Sequence, residues 1–178
     1  MKKLVNEFAK LLRWSVVLIF ATTASASDKS ARVGDSQTLA GLEGVHVAIG
    51  LQSEDVRVAG LSKERLQTAL ELRLRTAGIR LLTQEEMSAR PEVPLLALNV
   101  HVIEASPPGA VAYTVDLEMC VQVKPKHGKL DEIRQAVIWR TDLLGYKVET
   151  AADRITSYVR EMADSFANDF LKANPKER

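Results

Sequence analysis

The sequence predicts an α/β (α+β) fold: a two-layer sandwich with two long helices on one face of a mostly antiparallel sheet of about five strands, in the order β-α-β-β-β-β-α. Two patterns carry this expectation. In residues 111–123, Val111, Tyr113, Val115, Leu117, Met119, Val121 and Val123 alternate without a break with Ala112, Thr114, Asp116, Glu118, Cys120 and Gln122. That is the period of a strand with one buried face. Two other stretches, from Leu66 to Ala77 and from Ile155 to Phe170, repeat apolar residues at intervals of three and four, the stripe of an amphipathic helix.

The first strand follows from Val45, Val47 and Ile49 alternating with His46 and Ala48. Residues 52–60 read as a loop. Ser62 is placed to cap the first helix, with Leu61 stapled onto Leu66. Leu66, Leu70, Leu74 and Ala77 form its stripe, widened by Ala69 and Leu72, and Gly78 ends it. Residues 79–82 are expected as a short strand, and Thr83 with Glu86 as the capping box of a single helical turn. After Pro91 and Pro94 a strand puts Leu96, Leu98, Val100 and Val102 on one face and Ala97, Asn99 and His101 on the other. Ser106-Pro107-Pro108-Gly109 turns the chain into the long strand, and residues 124–131 (KPKHGKLD) turn it into a strand over 133–140. With Gly128 at the centre of that loop, Leu117 faces Trp139, Met119 faces Val137 and Asp116 faces Arg140. This register keeps both faces chemically uniform. The last helix is expected from Thr150, with Ile155, Val159, Met162, Phe166 and Phe170 buried, helped by Tyr158 and Ala163, and with Asn174-Pro175 as its stop. Both helices should cover the face made by Val45, Leu98, Leu117 and Trp139. Met162, Phe166 and Phe170 are then core rather than a ligand box.

Residues 1–26 read as a cleavable signal peptide: Lys2, Lys3, Lys10 and Arg13, the apolar run Trp14 to Ala21, then Ala24-Ser25-Ala26. The run is well short of the roughly 20 residues that span a bilayer, so a retained anchor is the weaker reading. Residues 27–38 are expected as a disordered lead-in, 39–174 as a single domain and 175–178 as a tail. The chain has 24 basic and 23 acidic residues. The leader takes four basic residues and Glu7, leaving 20 and 22, a net −2. Such a balance lacks the basic excess that holds phosphate backbones, so no nucleic acid is expected as partner. No second apolar stretch reaches membrane length. Cys120 is the only cysteine, so no intramolecular disulfide is available.

GLSKERLQTALELRLRTAGIRLLTQEE, AYTVDLEMCVQV and NDFLKANP together resemble a family of uncharacterised exported bacterial proteins, from about Leu39 to Pro175. That resemblance implies export and carries no site residues. In element order the chain is also similar to the TolB amino-terminal domain family, which implies a periplasmic envelope-assembly module.

By parity His46, Asn99, His101, Asp116, Glu118 and Cys120 point to the uncovered face of the sheet, with Arg140 across from Asp116. These include residue types that ligate zinc or form a Cys–His pair. No pair has a recognised ligand spacing. A solvated face on which Asp116 and Arg140 pair is the plainer reading. Cys120 beside two acids is expected to be an inert thiol. His127 lies in a three-lysine turn that fits an anionic headgroup, or simply a solvated hairpin tip. No nucleophile elbow, phosphate-cradling loop or zinc-protease helix is present. No catalytic residue, metal or cofactor is expected. The functional expectation is an exported, non-catalytic envelope protein that binds a protein partner, or another copy of itself, through the open sheet face or a strand edge. The alternative is a small exported enzyme or metal binder using His46, His101 and Cys120.

Overall fold

The alternation in residues 111–123 builds the central strand of a five-stranded sheet. The computed structural model describes residues 29–34, 36–52, 60–90, 93–106, 108, 110–124, 133–148 and 151–175. In chain order these form β1 (Lys29–Val33), a 3-10 turn (Ser36–Leu39), β2 (His46–Gln52), α1 (Lys63–Thr76), α2 (Gln84–Ala89), β3 (Leu95–Ala105), β4 (Ala110–Val123), β5 (Arg134–Val148) and α3 (Ala152–Ala173). The spatial order is β1-β5-β4-β3-β2. Every neighbouring pair is antiparallel except β2 with β3, which run parallel and are linked through α1.

The helix signals work as the residues dictate. Ser62 Oγ accepts from Arg65 N–H at 3.2 Å. At the other end Gly78 takes φ +78°, so its N–H reaches Arg75 O at 2.9 Å while Ile79 N–H reaches Leu74 O at 3.0 Å. That paired closure needs the left-handed backbone that glycine adopts without strain. Leu66, Leu70 and Leu74 of α1 and Ile155, Val159, Met162, Phe166 and Phe170 of α3 all lie in the core, against Val45, Leu98, Leu117 and Trp139. Trp139 meets Phe166 edge-on, with ring centroids 5.1 Å apart, and its Nε1–H donates to Asp169 Oδ2 at 2.8 Å. Both helices therefore dry one face of the sheet, at about 1.5–3 kcal/mol for each large side chain buried.

The structure departs from the sequence reading in five places. Residues 79–82 make a single parallel bridge, Val45 with Leu81, because Gly78 and the Thr83 cap leave no length for a strand. The fifth strand comes instead from the expected lead-in: Lys29–Val33 pairs with β5. β5 runs on to Val148 rather than ending at Arg140, and this extension supplies the edge that β1 joins. The β4–β5 register is shifted by two residues up to Met119, which lies opposite Trp139 while Leu117 lies opposite Thr141, and by one residue beyond the bulge between Met119 and Cys120, where Cys120 lies opposite Val137. Side chains repeat every two residues along a strand, so the shift of two keeps Leu117, Met119 and Trp139 on the dry face, whereas the shift of one beyond the bulge carries Val137, expected beside Met119, to the other face. Finally, the burial of β4's apolar face stops at Met119: Val121 is half-buried and Val123 exposed, past the cover of the helices. Thr150 and His127 lie outside the described residues, as do the leader and the 53–59 loop.

Candidate functional site: the uncovered sheet face

Opposite the helices, the rows of the sheet can be read across its strands. His101, Thr114 and Leu144 make one row; Asn99, Asp116 and Asp142 the next; then Ala97, Glu118 and Arg140; then Leu95, Cys120 and Val137. Among the described residues no element covers this face.

The centre is charged. Arg140 hydrogen-bonds Asp116 through Nη2, and its Nε lies 3.3 Å from Glu118 Oε1 and 3.5 Å from Asp142 Oδ1. Arg140 sits opposite Glu118, so its bond to Asp116 is diagonal, as a long side chain on a sheet permits. The Nε is out of contact with water and makes no hydrogen bond of good geometry. The hydrogen bond to Asp116, reinforced by the charges of all three acids against a smaller cost of burial, pushes the guanidinium pKa further up. Three carboxylates thus share one cation.

Around that centre the face is apolar at both ends: Leu95, Cys120 and the half-exposed Val137 lie at one, and three more exposed side chains lie at the other. Ile103, Leu144 and Tyr146 are 60%, 59% and 39% exposed. Tyr146 is fixed by its hydroxyl, which donates to Ser106 O at 2.8 Å.

The residues expected at the site share the face without converging. Asp116, Glu118 and Arg140 meet. Asn99 leans over Gly50, where an added Cβ would come within 2.4 Å of its Oδ1. His46 is turned to the sheet edge, its Nδ1 3.0 Å from Leu82 O. His46 and Cys120 flank Leu95 on neighbouring strands, about 10 Å apart in backbone spacing, and His101 lies six residues further along β3, on the order of 20 Å. The three residues of the metal or enzyme alternative therefore do not form a site. Among the described residues no group of three His, Cys, Asp or Glu is arranged to hold a metal. Cys120 is 6% exposed, and burial first, then the Glu118 charge, pushes its thiol pKa up. A nucleophile needs the reverse shift.

Asp142, Leu144, Tyr146 and Ile103 were missed. The first three lie in the part of β5 past Arg140, where Thr141 on the dry face and Leu144 on the wet one blur the alternation. Parity continued from Trp139 and Arg140 would have found Asp142.

The fold and this face define a class: a two-layer α/β sandwich with α1 and α3 on one side and, among the described residues, no element over the opposite sheet face. Solved structures share that fold. A PelC variant from Paraburkholderia phytofirmans, solved as a dodecamer, superposes with a TM-score of 0.50 at 15% identity over 79% of this chain and 98% of that one. A second PelC dodecamer from the same organism gives 0.47 at 14% identity over 80% and 96%. The likeness is one of fold. No protein-family model matches the chain, and no curated protein matches it. Among the described residues, no helix is long and apolar enough to cross a membrane.

Proposed function

We propose that this chain is an exported, non-catalytic cell-envelope protein that works by binding protein, either an envelope partner or further copies of itself. The observation that carries the reading is the bare sheet face: exposed Ile103, Leu144 and Tyr146 beside a cluster of charges already committed to one another. Apolar side chains grouped on an otherwise complete fold mark contact surfaces. The signal-like leader supports release into the periplasm or beyond, and the dodecameric state of the PelC chains supports self-association as one form the binding takes.

The test is photo-crosslinking in intact cells. A photoreactive residue at Leu144 or Ile103 captures a discrete protein adduct, and the same residue at Arg160, exposed on α3, does not. A face that captures nothing, on a protein that is strictly monomeric, overturns the reading. Native mass spectrometry of the amino terminus checks export, the expected first residue being Ser27.

A further inference from the structure

The sheet has two outer strands, and they differ in how well they are protected. β2 (HVAIGLQ) contains no proline, lysine or acid, and it pairs with β3 over its whole length without a bulge. Charges, prolines and bulges are the usual devices that keep an edge from pairing with another chain. Its backbone directions follow from the hydrogen bonds at its start. Val45 turns both groups outward, donating to Arg80 O at 3.0 Å and accepting from Leu82 N–H at 2.9 Å, whereas His46 N–H turns inward to Pro94 O at 2.9 Å. Alternation then turns the N–H and C=O of Val47, Ile49 and Leu51 outward. Among the described residues no segment pairs with them. At the far side β1 (KSARV), which carries Lys29 and Arg32, pairs among the described residues with β5 alone.

These two edges fit each other. β1 runs antiparallel to β5, β5 to β4 and β4 to β3, while β2 runs parallel to β3. β1 and β2 therefore run in opposite directions, and a second copy set beside the first with its helices on the same side brings β1 against β2 as an antiparallel pair.

The helix layer fits as well. Along the outer flank of α1 runs the row Lys63, Gln67, Glu71 and Arg75, lining a groove of about 500 Å³ against the edge of β2. Along the outer flank of α3 runs Arg154, Tyr158, Glu161 and Ser165, lining a groove of about 370 Å³ against β5. Apart from the ring of Tyr158, which is buried, both rows are polar and carry both signs of charge, as befits the two sides of a wet seam.

We infer that copies of this chain join head to tail, the outer edge of β2 in one pairing antiparallel with the outer edge of β1 in the next, so that their bare sheet faces line up side by side. The inference rests on the reading that the protein works by binding protein, and it names the partner at the edge as a second copy. Such a contact is heterologous: each copy offers one edge and uses the other.

Size-exclusion chromatography with light scattering and native mass spectrometry on the mature chain test it. The wild type is expected as an oligomer. Leu51→Pro, which removes an outward N–H, and Ala48→Lys, which adds a charge to the edge strand, are each expected to reduce it to one copy with native circular dichroism. Ala31→Pro in the middle of β1 is expected to do the same. Mixing Leu51→Pro with Ala31→Pro should then restore a one-to-one pair, because each keeps the edge the other has lost. Folded variants that hold the wild-type mass, a mixture that stays monomeric, or a monomeric wild type overturns the inference. An adduct at Leu144 in that last case leaves the broader reading standing with a different occupant.

Discussion

Tyr113 is buried on β4 directly opposite Gly145 of β5, and it lies there because Gly145 has no side chain. A Cβ on Gly145 would fall 2.4 Å from the ring Cζ and 2.5 Å from the hydroxyl oxygen, closer than a packed ring can yield. Gly145→Ala is therefore expected to destabilise by about 1–3 kcal/mol, as overpacking does. It should appear as a lower urea midpoint at unchanged slope. An unchanged midpoint would mean the ring does not occupy that position. Cys120 is governed by its surroundings in a second way. Its raised pKa keeps the thiol protonated through neutral pH, and reactivity arrives only as pH climbs through the lifted value. Alkylation at pH 7.5 should be slower than in urea-unfolded protein by about tenfold or more, since burial also limits approach. Glu118→Gln removes the second cause of the shift and should move the rate–pH profile to lower pH. A profile that does not move would show that burial alone sets it.

At the scale of elements, α2 shows how little a short helix can rest on. None of its residues is buried, so its cap carries it. Thr83 Oγ1 accepts from Glu86 N–H at 3.2 Å, and Glu86 Oε2 accepts from Thr83 N–H at 2.8 Å, with Arg80 on the other carboxylate oxygen. The Thr83 amide, opposed by slight desolvation and aided by Arg80, lowers the Glu86 pKa. A lowered carboxyl pKa contributes stability that is present above the ordinary glutamate value and is lost as pH falls through the lowered one. The α2 backbone chemical shifts should hold their helical values at neutral pH and move toward coil below the ordinary carboxylate range. Glu86→Gln should flatten that pH dependence, and a wild-type helix unchanged by acid would refute the assignment. This capping box was readable as Thr83-x-x-Glu86, as were Ser62, Gly78 and both helix stripes, because those signals are local. What the sequence hid is set by pairing at long range. β1 has too little apolar content to announce itself and exists by joining β5. The Met119/Cys120 bulge adds one residue to β5, which the unbroken alternation of β4 does not record, and so sets Val137 beside Cys120 instead of Met119. Asp142 then fell outside the predicted strand, and the charge cluster was read as one ion pair instead of one cation among three acids.

For the molecule as a whole, the ends of the described chain are tied together by one side chain. Asn174, the residue that stops α3, accepts from Gly41 N–H at 2.7 Å, and its amide nitrogen donates to Leu39 O at 2.8 Å and Phe170 O at 3.0 Å. Leu39, at the end of the 3-10 turn, is fully buried, and Thr38 Oγ1 donates to Ile138 O at 2.9 Å on β5. The segment between β1 and β2 is thus clamped between the last helix and the sheet, and the clamp also fixes where β1 can meet β5. Asn174→Ala removes three side-chain hydrogen bonds and leaves the partly buried Leu39 carbonyl short of a donor, while the Phe170 carbonyl keeps the backbone N–H of residue 174 at 2.9 Å. A net loss of about 1–3 kcal/mol is expected. The distribution of the loss is the sharper test. Amide exchange should accelerate at Gly41 and through the 3-10 turn and β1, while the centre of β3 and β4 changes only with the global stability. Uniform acceleration at every amide would mean that Asn174 acts through α3 alone and that the two ends of the fold are not mechanically joined.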